Sequence, residues 1–256
     1  MTEKVPLSAS FAVSQDGVPI AYDAEGGGEA IVLLHGGGHT RRSWHDIGYV
    51  PRLKKDFKAI AMDIRGAGES DQPLQPSAYS VERHCEDIVG VADECGLGDF
   101  ILWGFSYGGN IARYLAARSP RVKKLIVMGV PFGPGASGEF RESIIKYRDR
   151  YLPFVEKMDV LSEADRQKLE THGVPLKLAS FGAMLEWPKV EPLDLLCPTL
   201  WLVGSKNESA MASIEEYSSD LEGSLVQVEI LEGLDHEQEF TEIDRVLPVV
   251  RSFLAT

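Results

Sequence analysis

The sequence predicts an α/β protein built on one mostly parallel sheet, and three observations carry that reading. Apolar runs at 100–104, 124–128 and 199–203 are nearly continuous in large apolar residues, the pattern of strands covered on both faces. Stretches of helical composition alternate with these runs, as in successive βαβ units. Between one such run and the helical stretch that follows it stands Gly104-Phe105-Ser106-Tyr107-Gly108-Gly109, a strand, a tight turn and a helix in sequence.

Taken in order, eight runs read as strands: 9–13, 20–24, 30–34, 58–62, 100–104, 124–128, 199–203 and 226–231. Asp16-Gly17 between the first two marks a hairpin turn. Helical stretches fall at 44–55, 80–95, 107–119, 210–221 and 241–253. One segment breaks the alternation. Residues 131–195 open with Pro131-Phe132-Gly133-Pro134-Gly135 and then read helical at 139–150, 155–158 and 163–172. They are expected to form a small helical cap inserted into a core made of residues 1–130 and 196–256.

The chain has 256 residues, 44% hydrophobic and 25% charged, ordinary values for a folded domain of this size. It carries 26 Lys and Arg against 39 Asp and Glu, a net charge of −13, and no basic stretch stands out. Nucleic acid and an anionic membrane surface are therefore not expected partners. No apolar run approaches the length of a membrane span. The N-terminal residues lack a basic region followed by an apolar one, so no secretory leader is expected. Three widely spaced cysteines, with no C-x-x-C, suit a reduced cytoplasmic protein.

The chemistry-bearing residues cluster at strand ends. In G-x-S-x-G, a serine on a sharp strand-to-helix turn needs small neighbours, which Gly104 and Gly108 supply. Ser106 is then a candidate nucleophile, with a helix N-terminus pointing N–H groups at whatever reacts there. His35-Gly36-Gly37-Gly38 follows the third run, and consecutive glycines let a loop approach a ligand with its N–H groups exposed. The oxyanion donors expected are Tyr107 together with Gly37 or Gly38; His35 reads as a structural residue. His236, in the loop after the last strand, is the expected general base. The six histidines show no H-E-x-x-H spacing, and neither a phosphate loop nor a nucleotide-binding G-x-G-x-x-G is present, so no metal or cofactor is expected.

Over essentially its whole length the chain resembles the α/β-hydrolase-fold superfamily. The resemblance rests on His35-Gly36-Gly37-Gly38, on Asp63-x-Arg65-Gly66-x-Gly68-x-Ser70, on the turn around Ser106, on Pro198-Thr199-Leu200-Trp201-Leu202-Val203-Gly204 and on His236. It implies an α/β-hydrolase fold with an eight-stranded sheet, Ser106 as nucleophile, His236 as base, and loop-bracing roles for Asp63 and Arg65. Trp44, Trp103 and Tyr107 become candidates for lining a substrate pocket. One position departs from the pattern. The family places an aspartate three residues after Gly204, and here stands Asn207, followed by Glu208. Either Glu208 reaches the histidine or Asn207 orients it through its carbonyl oxygen. The resemblance implies a serine hydrolase of small esters or lactones; the sequence leaves monomer and homodimer both open. C–C bond cleavage or a lyase step on the same scaffold, or a non-catalytic small-molecule receptor, are the alternatives. A serine at this turn argues against haloalkane and epoxide chemistry, which the family runs from an aspartate.

Overall fold

The structure is a computed structural model that describes residues 8–256; the N-terminal stretch read for a leader falls largely outside the described residues. All eight sequence runs are strands, with ends shifted by two residues or fewer: β1 (Ser10–Val13), β2 (Pro19–Gly26), β3 (Glu29–Leu34), β4 (Phe57–Met62), β5 (Phe100–Phe105), β6 (Val122–Met128), β7 (Thr199–Gly204) and β8 (Val226–Leu231). They form one sheet in the order β1-β2-β4-β3-β5-β6-β7-β8. β1 pairs antiparallel with β2 through the hairpin at Gly17, whose φ of 84° suits glycine. β2 pairs antiparallel with β4, and β3 to β8 run parallel.

Alternation along the parallel strands sorts side chains into two cores. Val32, Leu102, Leu125 and Trp201 face one side, where they meet Val91 and Ile111 of α3 (Val81–Glu94) and α4 (Tyr107–Ala116). Ile31, Ile101, Trp103 and Leu200 face the other, against α1 (Arg42–Asp46), α2 (Tyr49–Leu53) and α11 (Ile243–Leu254). The helix expected at 44–55 is thus two short ones, because Gly48 between them takes a left-handed φ of 103°.

Between β6 and β7 the chain forms α5 (Gly138–Val155), α6 (Glu163–Thr171) and α7 (Val174–Ala183). α7 has no counterpart in the sequence reading. Gly173-Val174-Pro175 looks like a break, but a proline in the first helical turn loses no intrahelical hydrogen bond. After β7 come α8 (Glu208–Glu216) and α9 (Ser218–Leu221), and after β8 the single turn α10 (Gln238–Thr241). Among the described residues no helix is long and apolar enough to cross a membrane.

Candidate active site

The carboxyl ends of β3, β5, β6, β7 and β8 converge on one point. At the end of β5, Ser106 has φ 51° and ψ −115°, and it is the only non-glycine residue with positive φ among the described residues. Such a backbone costs on the order of 1–3 kcal/mol and persists only where its surroundings impose it. Here they do. A Cβ at Gly104 would collide with the Gly108 carbonyl, and one at Gly108 would lie 2.5 Å from the Leu34 carbonyl oxygen. The expectation that both glycines make room for the serine turn holds atom by atom.

Ser106 Oγ lies 3.0 Å from His236 Nε2, and His236 Nδ1 lies 3.0 Å from Glu239 Oε2. With Nε2 accepting the serine hydroxyl, Nδ1 carries the ring proton and donates it to Glu239. The His236 ring stacks on Phe105 at 5.0 Å. Glu239 is fully buried, which would penalise its charge heavily without compensation. The compensation is present. Gly204 N–H donates to Oε1 at 2.6 Å, and Asn207 Nδ2 donates to Oε1 and Oε2 at 3.1 and 3.3 Å.

The contacts at His236 differ from those the sequence reading expects of Glu208 and Asn207. Glu208 opens α8 with its side chain exposed, while the ring nitrogen it would need is taken by Glu239. Asn207 does not present its oxygen to His236 either. Its Oδ1 accepts from Ala210 N–H at 3.4 Å and from Ser209 Oγ at 3.2 Å, capping α8, while its amide nitrogen turns to Glu239. The sequence does hold a signal for Glu239: it stands three residues after His236, the spacing that puts two side chains on one face of a helical turn. The turn is nucleated locally, because Asp235 Oδ1 accepts from Gln238 N–H at 2.9 Å while Gln238 Oε1 accepts from Asp235 N–H at 3.1 Å.

Trp44 and Trp103 also move from their expected role. Both are fully buried in the core beneath the site. Their rings meet edge to face at 5.3 Å, and Trp44 packs on Phe240 at 4.8 Å. Tyr49 donates its hydroxyl to the Phe240 carbonyl at 3.0 Å. Phe240 neighbours Glu239 in the chain, so this aromatic cluster anchors the turn that carries the carboxylate.

The glycine loop after β3 lies against the serine turn. A Cβ at Gly36 would touch Ser106 Cβ at 3.3 Å, and one at Gly37 would lie 3.9 Å from Tyr107 Cβ. Gly38, with φ 79°, makes the tight turn beyond it. The N–H of Tyr107 belongs to the first turn of α4, where no intrahelical carbonyl can receive it. His35 holds the loop from below: Ile64 N–H donates to its Nε2 at 3.1 Å and its Nδ1 donates to the Gly36 carbonyl at 2.8 Å. Burial keeps this imidazole neutral, with its pKa pushed down to about 4.

Asp63 and Arg65 brace loops as expected. Asp63 accepts from Arg41 and from Glu69 N–H, while Arg65 grips Asp87 with two bonds of 2.6 Å. Asp23, Glu25 and His45 come within ligand distance of one another at the far edge, but Arg41 and Lys54 already pair with the two carboxylates.

Above Ser106 the surface belongs to the segment between β6 and β7. Arg113, wholly buried on α4, donates to the carbonyls of Pro131 and Pro134, and Asn110 donates to Gly135, pinning the start of that segment. Tyr107 Oη lies 2.9 Å from Nε2 of His84, whose pKa burial pushes down to about 3. Phe181 of α7 packs on Tyr107 at 5.7 Å and would touch a Cβ at Gly37 at 3.3 Å. Behind Phe181 a cleft of about 250 Å³ opens between α5 and α7, lined by Phe140, Ile144, Leu178 and Phe181 with Arg148 and Lys177.

The model for the α/β hydrolase fold matches residues 29–170, and the chain belongs to that family. A Bacillus subtilis protein named putative 2-succinyl-6-hydroxy-2,4-cyclohexadiene-1-carboxylate synthase is 28% identical, over 83% of this chain and 87% of its own length. Epoxide hydrolase 3 of Siraitia grosvenorii is 31% identical, over 56% of this chain and 42% of its own. Among solved structures, a thermophilic esterase from Thermogutta terrifontis superposes with a TM-score of 0.75 at 23% identity, covering 97% of this chain and 98% of its own.

Proposed function

We propose that this chain is a serine hydrolase of small carboxylic esters or lactones. One observation carries the reading: an unbroken hydrogen-bonded line from Ser106 Oγ through His236 to the buried carboxylate of Glu239, 3.0 Å at each link. Ser106 Oγ attacks the ester carbonyl as His236 Nε2 takes its proton, and Glu239 stabilises the imidazolium that forms. The N–H groups of Tyr107 and Gly37 receive the oxyanion. The imidazolium then protonates the leaving alkoxide, and an acyl group remains on Ser106. Water, deprotonated by His236, releases the acid and restores the serine. Phe181, which lines the cleft and also packs on Tyr107, supports placing the acyl chain on that side of Ser106.

The nucleophile separates this chemistry from that named for the epoxide hydrolase relatives. Serine opening an epoxide would form an ether, which has no carbonyl for water to attack, so the enzyme would not turn over. A carboxylate on the imidazole at 3.0 Å supports a catalytic reading over a non-catalytic receptor. A C–C cleaving or lyase step run by the same Ser106–His236 pair is the second reading, favoured by the Bacillus subtilis synthase, whose likeness spans most of both chains.

Initial rates on p-nitrophenyl esters from acetyl to decanoyl, for wild type and Ser106→Ala, test the proposal. Turnover on the shorter esters that falls about 10⁶-fold in the variant is expected. Absence of turnover on these activated esters, or turnover indifferent to Ser106, would contradict it and leave the second reading.

A further inference from the structure

Asn207 stands where the family resemblance expects the acid, and its amide nitrogen approaches His236 Nδ1 to 3.3 Å. Both nitrogens carry hydrogen, so that approach is not a hydrogen bond; it shows that the side-chain tip of residue 207 lies within reach of the imidazole. The carboxylate tip of Glu239 lies 3.1 Å from the same amide and 3.0 Å from the same ring nitrogen. Residues 207 and 239 therefore form a buried acid–amide pair that addresses one imidazole nitrogen from two places in the chain.

We propose that Asn207 is a positioning residue that clamps the Glu239 carboxylate against His236, and that acid and amide are exchangeable between the two positions. This rests on Glu239 being the acid of the serine hydrolase proposed above.

The hydrogen bonds support the exchange when each is reversed. In the double variant Asn207→Asp with Glu239→Gln, the amide oxygen introduced at position 239 accepts from Gly204 N–H, as Glu239 Oε1 does now. The amide nitrogen at position 239 donates to the carboxylate introduced at position 207, reversing the present bond without moving either group. One oxygen of that carboxylate keeps the cap on Ala210 N–H, and the other faces His236 Nδ1–H. The carboxylate at 207 then accepts from both the imidazole and one N–H of the amide at 239, and that amide nitrogen stands beside His236 Nδ1 as the Asn207 amide does now.

Asn207→Asp alone behaves differently. It sets two buried carboxylates at the present separation of 3.1–3.3 Å, and such a pair cannot ionise twice without large cost. At low pH a shared proton lets one carboxyl act as the lost amide donor. As pH rises, that proton must leave. The pair's second pKa in the folded protein is raised, so the protein loses stability relative to wild type as pH climbs through it. His236 and Glu239 are the titratable groups in contact with position 207; its chain neighbours Lys206 and Glu208 are exposed.

The test uses the intact chain and p-nitrophenyl acetate. Glu239→Gln is expected to lower kcat by about 10³–10⁴, near the cost of amidating a triad acid. The double exchange is expected to recover at least about tenfold over Glu239→Gln. In parallel, the Tm deficit of Asn207→Asp against wild type, measured from about pH 5 to pH 9, is expected to widen with pH. The double exchange is expected to show no such widening. A double variant no better than folded Glu239→Gln, or an Asn207→Asp deficit constant with pH, would overturn the exchange. Full activity in Glu239→Gln would instead strike the acid assignment itself, so the two failures are distinguishable.

Discussion

The two flanks of Ser106 are built on different physics. On the flank of β7 and β8, polar atoms around the imidazole are matched: a fully buried carboxylate accepts from His236, Asn207 and Gly204, with a ring cluster locked beneath it. On the flank of α5 and α7 the contacts are mostly rings and aliphatic chains, Phe181 on Tyr107 and Phe140 on Phe181. Polar networks in a low-dielectric site tolerate little displacement, whereas apolar walls repack at modest cost. For the reaction proposed above, the first flank is suited to holding the chemistry constant, and the second to setting which acyl group fits.

Substitutions of equal chemical size should therefore act unequally. Apart from the reacting groups themselves, the largest effect is expected at Gly129, which follows β6 with φ 69°. A Cβ there would collide with Glu239 Oε2 and lie 2.8 Å from His236 Nδ1. Gly129→Ala should lower kcat/KM by about 10²-fold or more, the usual result of moving a catalytic group by about 1 Å. A variant with wild-type rates would show that the flank is softer than its geometry implies.

The buried histidines predict an effect of comparable size, on stability rather than rate. Burial lowers the folded pKa of His35 to about 4 and that of His84 to about 3, from 6.5. Their stabilising neutrality is complete above pH 6.5 and is lost as pH falls toward the folded values, because the unfolded chain takes up protons that the native one refuses. Each is worth on the order of 3 kcal/mol by pH 4. The slope of Tm against pH between 6.5 and 4 should be shallower in His84→Gln than in wild type; identical slopes would mean that His84 charges freely in the fold.

The smallest effect belongs to the apolar flank. Phe181→Ala should leave kcat/KM for the acetyl ester within about twofold and raise it for the octanoyl ester about tenfold, the scale of apolar pocket discrimination. Equal loss on both esters would mean that Phe181 supports the Gly37 loop rather than walls the acyl chain.

The same contrast governs what the sequence can disclose. Strands, the serine turn and His236 are legible because each rests on a local pattern: alternation, small residues around a strained serine, and position after a strand. The proposed acid is only faintly so, because the pattern points to the end of β7 while Glu239 stands three residues after His236 beyond β8. Chain order places residues along the sheet edge but does not say which of the carboxylates near that edge turns toward the imidazole. Trp44 and Trp103 escape for a related reason. Trp103 shares strand parity with Ile101 and Phe105, which face the α11 side, and that parity is readable only once the face has been identified. The segment after β6 hides α7 behind a Gly-Val-Pro that opens a helix instead of ending one.

The site stands or falls on Glu239, and not Glu208, completing the line from Ser106. The decisive comparison is kcat/KM on p-nitrophenyl acetate for Glu239→Gln and Glu208→Gln beside wild type, with circular dichroism confirming that each variant is folded. A loss of about 10³–10⁴ is predicted in folded Glu239→Gln, against less than about a twofold change in Glu208→Gln. A loss in Glu208→Gln with Glu239→Gln near wild type would contradict the assignment.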